Sequence, residues 1–462
     1  MSTLEFSSLS LRAALLENLH SLHYKSMTPI QAQSLPRILA GKDLVAQAQT
    51  GSGKTAAFGL GLLQKLDVAS YRIQQLVLCP TRELADQVAK EIRRLARKIH
   101  NIKVLTLCGG MPFGPQIASL EHGAHIIVGT PGRIEEHLRK GNLMLEYVDT
   151  LVLDEADRML EMGFQDSLDA IIEGCPLQRQ TLLFSATYPR EINKLTLRVM
   201  REPEYVKVAS SHNLDTIDQR FYRVSNSLER LQALPLLLNS FTFDSAIIFC
   251  NTKSETRDIV AFLTERGFSA VALNGDMEQK DRDRTLVRFA NKSVLILVAT
   301  DVAARGLDVN DLDLVINYQI AKDPELHTHR VGRTGRAGGK GVACSLFDER
   351  EAHKLAQLEL SIDPIAEAQS LSALNPSQQE PREPLMTTIQ IDGGKKQKLR
   401  PGDILGALTS ENGIAGNQVG KIALFPNCAY VAVEKKVIKK ALNKLANDKM
   451  KGRQFRVRQV RY

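Results

Sequence analysis

Tryptophan is absent from the 462 residues, and no window approaches ~18 uninterrupted apolar positions, so the chain offers no membrane-spanning helix. Residues 1–19 set Glu5, Arg12 and Glu17 into a helical pattern where a secretory leader would carry a basic start, an apolar core and a cleavage site. No export is expected. Six cysteines, Cys79, Cys108, Cys175, Cys250, Cys344 and Cys428, stand singly in apolar runs without a CxxC pair, which argues against a disulfide framework and a zinc site. Reduced cytoplasm is the natural compartment. What is present, 43% hydrophobic and 24% charged residues, excludes a fibre or a disordered tail, and the length suggests about three domains at ~150 residues each.

Charge is unevenly spread. From Met386 to Tyr462 there are 16 Lys+Arg against 5 Asp+Glu, whereas residues 1–385 hold 44 against 47. A basic module is attached to a near-neutral body, and a polyanion partner for it is the first suspicion, although lysine also serves solubility.

From Asp43 onward, short apolar runs alternate with helix-period segments, the pattern of parallel sheets built from strand-helix-strand units. Strands are expected at Asp43–Ala48, Leu76–Cys79, Ile126–Val128, Leu151–Leu153 and Thr181–Phe184, with an amphipathic helix over Arg82–Ile99. A second set, at Ala246–Phe249, Ala270–Leu273, Val294–Val298, Leu312–Ile316 and Val342–Leu346, follows a polar stretch after Lys207. SALNPSQQEPREP, Ser372 to Pro384, reads as a linker. Beyond it a β-α-β-β-α-β order is expected: strands near Thr387–Ile391, Lys421–Phe425, Ala429–Val433 and Gln454–Val460, helices near Pro401–Thr409 and Lys436–Ala446. That order is ferredoxin-like, as in RRM domains. The resulting division is 1–208, a first α/β domain; 209–217, a linker; 218–370, a second; 371–385, a linker; and 386–462, the basic α+β domain.

AQTGSGKT, Ala48 to Thr55, sits where a strand ends and a helix begins. Gly51 and Gly53 let the backbone curl so that the N–H groups of Gln49, Thr50, Ser52 and their neighbours face phosphate oxygens, with the helix N-terminus adding positive charge. Lys54 would reach the β- and γ-phosphates of ATP and Thr55 the Mg²⁺. LVLDEAD then puts Asp154, Glu155 and Asp157 at the C-terminal end of an apolar strand, where open α/β sheets bind ligands. Asp154 can hold Mg²⁺ through water, and Glu155 can orient or deprotonate the attacking water. Taken alone, the acids also fit a solvated turn. In HRVGRTGRAG, Arg330, Arg333 and Arg336 recur every third residue around glycines, either as charge for a developing γ-phosphate or as a basic surface loop.

With these motifs in one order, the chain resembles the DEAD-box ATP-dependent RNA helicases from about Phe6 to Asp348. Asp154-Glu155-Ala156-Asp157 is the naming box, and around it stand Tyr24 with TPIQ ending at Gln31, PTRELA, Gly109-Gly110, TPGR, SAT, Gln279 with Arg282, and TDVAARGLD. Ala48 is what that family usually carries at the head of its P-loop. The resemblance implies two RecA-like parallel-sheet domains in tandem. Within 6–31 it assigns Tyr24 to stacking on adenine and Gln31 to reading its edge. It gives Thr81, Arg82, Gly110, Thr130 and Arg133 to RNA on the first domain, and Gln279, Arg282 and Thr300 to RNA on the second. Ser185 and Thr187 would couple hydrolysis to strand separation, and Asp308 would order the ribose beside the finger arginines Arg333 and Arg336. ATP held by the first domain and completed by arginines of the second would make closure and catalysis one event, bending one RNA strand and releasing its partner.

The basic module resembles the RNA-binding domain of those bacterial members that recognise a hairpin of 23S ribosomal RNA near the peptidyl-transferase centre. Its stacking platform is thin: Gln390 and Cys428 stand where rings are usual, leaving Tyr430. Phosphate and shape contacts from Lys395, Lys396, Lys398, Arg400, Lys435, Lys436, Lys451, Arg453, Arg456 and Arg458 are therefore expected to matter more. The partners implied are 23S rRNA and large-subunit assembly intermediates, met by a monomer in the bacterial cytoplasm, with no membrane and no DNA. Two rivals are a general RNA-turnover helicase with an unspecific tail and an ATP-gated clamp that holds RNA without unwinding it.

Overall fold

Uninterrupted apolar runs build the centre of each parallel sheet in the computed structural model, which describes residues 4–460 apart from 49–50, 189, 209–216, 305–311, 336–340, 359, 361 and 375–379. Gln49, Thr50, Asp308 and Arg336 therefore lie outside the described residues. In the first unit the strands are β1 (Leu44–Gln47), β2 (Gln75–Leu78), β3 (Val104–Leu107), β4 (Ile126–Gly129), β5 (Thr150–Asp154), β6 (Gln180–Ser185) and β7 (Glu204–Lys207). They form one parallel sheet in the order β3-β4-β2-β5-β6-β1-β7. Successive residues of a strand face opposite sides, so Val77, Val152, Leu182 and Phe184 join one apolar core while Leu76, Leu151, Leu153 and Leu183 join the other. Both faces are covered, as a parallel sheet requires.

The helices are set by local chemistry. Thr28 and Gln31 form a reciprocal capping box at the start of Pro29–Leu39, with Pro29 supplying a fixed φ at the first helical position. Thr81 caps Arg82–Leu95 by accepting from Leu84 N, and that helix ends at Leu95, four residues short of the expected Ile99.

The second unit holds β8 (Ile217–Arg223), β9 (Ala246–Cys250), β10 (Ala270–Leu273), β11 (Ile296–Thr300), β12 (Leu314–Asn317) and β13 (Gly341–Phe347), all parallel, in the order β10-β11-β9-β12-β13-β8. It also holds the basic domain, whose antiparallel strands β14 (Met386–Ile391), β15 (Val419–Leu424), β16 (Ala429–Glu434) and β17 (Val457–Gln459) lie in the order β15-β16-β14-β17. With helices Pro401–Thr409 and Ile438–Asn447 packed on one face, this is the ferredoxin-like arrangement. Among the described residues no helix is long and apolar enough to cross a membrane.

Candidate functional site

Three neighbouring strands of the first sheet, β5, β6 and β1, end together, and each end carries a motif. In register, Gln47 lies beside Ser185 and Asp154 beside Phe184, so the P-loop, the acidic box and Ser185 share one edge. Gly51 and Gly53 take φ of +85° and +97°, a left-handed backbone that a side chain at either place would strain. A Cβ on Gly53 would also stand 2.5 Å from Gln31 Nε2. Gln31 explains the crowding: its Nε2 donates to Gly53 O at 3.1 Å while its Oε1 accepts from Thr28 N. The nucleotide loop and the segment expected to read adenine are thus tied together. Ala48 is buried at the head of the loop; Ser52 and Thr55 lie half-buried along it. Tyr24 is half-buried too, its hydroxyl donating to Glu91 Oε1 at 2.9 Å and its ring edge-on to Phe6.

Lys54 begins the helix Lys54–Lys65 and is only 6% exposed, yet among the described residues its ammonium has no hydrogen-bond partner. Asp154 Oδ1 is likewise buried without one. Burial pushes the Asp154 carboxyl up to about 7; the Lys54 charge opposes this and Glu155 adds to it. A buried ammonium and a buried carboxylate oxygen, both unsatisfied, fit a ligand bearing phosphate oxygens and a divalent cation. Glu155 follows in a left-handed conformation, φ +52°, at the strand-helix junction, an uncommon place for a residue with a side chain. Burial alone would raise Asp157, but the Arg158 charge, the Thr187 hydrogen bond and the Lys54 charge outweigh it and hold the carboxyl below its ordinary range.

The other half of the same edge carries the residues expected to hold RNA. Thr81 and Arg82 follow β2, Gly110 follows β3, and Thr130 and Arg133 follow β4. Gly110 takes φ +71°, and Thr130 Oγ1 accepts from Gly109 N at 3.5 Å, joining two of the three loops. Arg133 is 11% exposed and donates from Nη1 to Met111 O and Gln116 Oε1, with Nε 3.1 Å from Glu136 Oε2.

In the second unit Thr300 ends β11 and Arg282 Nη2 donates to Ala303 O just beyond it, while Gln279 Nε2 donates along its own helix to Asp283. Arg330, grouped by spacing with the finger arginines, is 1% exposed and has another task. It pairs with both oxygens of Asp301 at 2.6 and 2.7 Å and donates to Asn251 Oδ1 and Gln319 O, tying together the ends of β11, β9 and β12. Arg333 lies in the turn after the helix Pro324–Val331, where its carbonyl accepts from Leu312 N. Sequence reasoning missed Asn251 and Asp301. Their signal was positional, since each directly follows an apolar strand of the sheet.

The basic domain requires a correction. Thr388, Gln390, Tyr430 and Ala432 share the face of β14 and β16 opposite the helices, and all are buried, Tyr430 at 2% exposure. Thr388 Oγ1 donates to Ser293 Oγ at 2.8 Å and accepts from Asn291 Nδ2 at 3.0 Å, both in the turn leading to β11. In this arrangement Tyr430, edge-on to Phe425, is not offered to a base as the expected stacking ring. The lysines cluster elsewhere. Lys395, Lys396 and Lys398 lie in the loop after β14, Arg400 caps the helix Pro401–Thr409, and Lys451 Nζ donates to Lys398 O at 2.8 Å, two residues before exposed Arg453.

Three family profiles match successive segments of the chain. A DEAD/DEAH box helicase family profile matches residues 28–195, a helicase conserved C-terminal domain profile 228–338, and a DbpA RNA binding domain profile 388–459. The chain is 52% identical over 460 residues to the ATP-dependent RNA helicase DbpA of Escherichia coli (strain K12), covering 98% of this chain and 99% of that one. It is 40% identical over 391 residues to the DEAD-box ATP-dependent RNA helicase CshA of Bacillus subtilis (strain 168), covering 84% and 79%. Among solved structures it resembles S. cerevisiae Dbp5 bound to RNA and ADP BeF3, with a TM-score of 0.68 and 30% identity over 75% of this chain and 90% of that one.

Proposed function

Because the chain belongs to the DEAD-box ATP-dependent RNA helicases, we propose that its basic domain anchors it to one structured hairpin of 23S ribosomal RNA while the two sheet domains melt a short duplex nearby, in assembly of the large ribosomal subunit. The observation that carries the catalytic part is the unsatisfied pair of Lys54 Nζ and Asp154 Oδ1 at the shared end of β5, β6 and β1. Lys54 would hold the β- and γ-phosphates, Thr55 and Asp154 the Mg²⁺, the latter through water, and Glu155 the attacking water. Mg²⁺, when bound, would neutralise charge developing on the phosphate oxygens. Tyr24 and Gln31 would take the adenine, Asp308 the ribose, and Arg333 and Arg336 the γ-phosphate charge.

RNA phosphates would be held by Thr81, Arg82, Gly110, Thr130 and Arg133 on the first unit and by Gln279, Arg282 and Thr300 on the second. Anchoring would fall to Lys395, Lys396, Lys398, Arg400, Lys451 and Arg453, because the sheet face that RRMs use for stacking is already covered. The protein would work as a monomer in the cytoplasm. The test compares stimulation of ATP hydrolysis by a 23S rRNA fragment with that by an unrelated RNA of equal length, for the native chain and for Lys395→Glu/Lys398→Glu/Lys451→Glu. Charge reversal is preferable to truncation, which would uncover Asn291 and Ser293. The native chain should prefer the 23S fragment and the variant should lose the preference. A variant that kept it would remove the anchoring role from this cluster.

A further inference from the structure

The turn Gly109-Gly110 has no side chains to hold it, yet it is fixed at both ends by one network in the first unit. Gln116, 8% exposed on the helix Phe113–Glu121, donates from Nε2 to Cys108 O at 3.1 Å, the carbonyl just before the turn. Its Oε1 accepts from Arg133 Nη1 at 2.9 Å and lies 2.9 Å from His137 Nε2. Arg133 Nη1 also donates to Met111 O at 3.0 Å, the carbonyl just after the turn. The circuit closes: Cys108, Gln116, Arg133, Met111 and the two glycines between.

The same circuit aims the guanidinium. Both N–H bonds of Nη1 are used, and Nε lies against Glu136, so among the described residues Nη2 is the nitrogen left without a partner. Phe113 backs the group, with its ring stacked on His137 at 4.2 Å and 13° and the Arg133 guanidinium 5.3 Å from its centroid. A lone arginine on a helix samples many rotamers, and each one frozen beforehand is entropy not lost when RNA arrives.

We propose that Gln116 is a positioning residue for RNA binding: through one amide it holds the Gly109-Gly110 turn and directs Arg133 Nη2 toward a backbone phosphate. This rests on the reading that Gly110 and Arg133 contact RNA. Gln116 is buried and its amide is directed at Cys108, Arg133 and His137, so its effect on RNA would pass through the turn and Arg133.

The test uses the full chain and follows RNA-stimulated ATP hydrolysis, recording the RNA concentration for half-stimulation, the KM for ATP, the rate at saturating RNA and the melting temperature. Gln116→Leu, similar in volume, loses both ends of the amide. It should raise the half-stimulating RNA concentration about tenfold and move the KM for ATP less than about twofold, with the rate largely recovered at saturating RNA. Gln116→Glu keeps oxygens for Arg133 and His137 and should recover much of the lost RNA affinity, which also covers the case that Gln116→Leu fails to fold. If either variant that folds moves the RNA and ATP constants equally, or if Gln116→Glu is no better than Gln116→Leu, the positioning role is overturned. Arg133→Ala separates the two levels: if it leaves the RNA constant unchanged, the underlying RNA contact is wrong, whereas a weakened Arg133→Ala beside an unaltered Gln116→Leu overturns only the role of Gln116.

Discussion

Thr187 places its backbone N–H and its hydroxyl on the same oxygen of Asp157, at 3.1 and 2.9 Å, bridging the loop after β6 to the acidic box after β5. Both residues are buried, so the bond is shielded from water and couples any shift of one loop to the other. Thr187→Val removes the hydroxyl bond while the backbone bond keeps the carboxylate partly satisfied. Hydrolysis of ATP should stay within about threefold of native, and duplex separation should fall at least about tenfold, a difference of ~1.4 kcal/mol or more in the coupled step. Measuring both on the same RNA decides it. Equal losses in the two would mean that the pair holds the loop together and transmits nothing.

Lys54 is the opposite case, a group the fold leaves unsatisfied. An unpartnered buried ammonium costs stability, and the Asp154 carboxyl beside it is already pushed up to about 7. Lys54→Met removes the ammonium, and Asp154 then loses the cation that opposes its burial and takes up a proton more readily. ATP hydrolysis should be lost, yet the melting temperature should stay level or rise by a few degrees. A clear fall would mean that the ammonium contributes to the fold through a contact other than a hydrogen bond.

Central strands were legible from sequence because burial on both faces leaves only apolar residues, as in Ile126–Val128 or Leu151–Leu153. The strands β3, β7 and β8 were not. Each lies at a sheet edge, where Thr106, Lys207 or Asp218 can meet solvent and the apolar run is broken. Glycine and acid motifs could be found because their chemistry fixes their spacing along the chain. The burial of Tyr430 could not be, since Thr388 on the same face is held by Asn291, 97 residues away. Arg330 shows the same limit: three arginines at equal spacing look alike in the sequence, and only Asp301 and Asn251 set one of them apart.

That separation has a measurable consequence. Buried Arg330 uses all three guanidinium nitrogens on partly buried partners, a geometry that a lysine ammonium cannot reproduce. Arg330→Lys should destabilise the second unit by ~3–5 kcal/mol, because Asp301 would lose its bidentate partner. Arg333→Lys should leave the melting temperature within a few degrees and lower the rate of hydrolysis about 10³-fold or more, the scale of a finger arginine. Thermal melts and saturating-substrate rates on the two variants should therefore come out as opposites. Similar melting losses in both would return Arg330 and Arg333 to a single role.

His327 gives the second unit a dependence on acid. It is buried on the helix Pro324–Val331, with Nε2 3.2 Å from Gln219 Oε1 and its ring stacked on Phe221. A neutral ring donating from Nε2 leaves Nδ1 bare, and Nδ1 has no partner. Burial pushes the pKa down from 6.5 to about 4, with the Arg330 charge adding to it. The folded value is depressed, so the contribution to stability is complete above about 6.5 and shrinks as pH falls, because the unfolded chain takes up the proton first. At about 1.4 kcal/mol per pKa unit the loss approaches ~3 kcal/mol near pH 4 and is ~2 kcal/mol at pH 5. His327→Gln cannot titrate and should show a smaller loss between pH 7.5 and pH 5. Urea unfolding of the full chain, followed by hydrogen exchange in β8 and β13, measures the difference. Equal pH dependence in the native chain and the variant would assign the acid sensitivity to other groups.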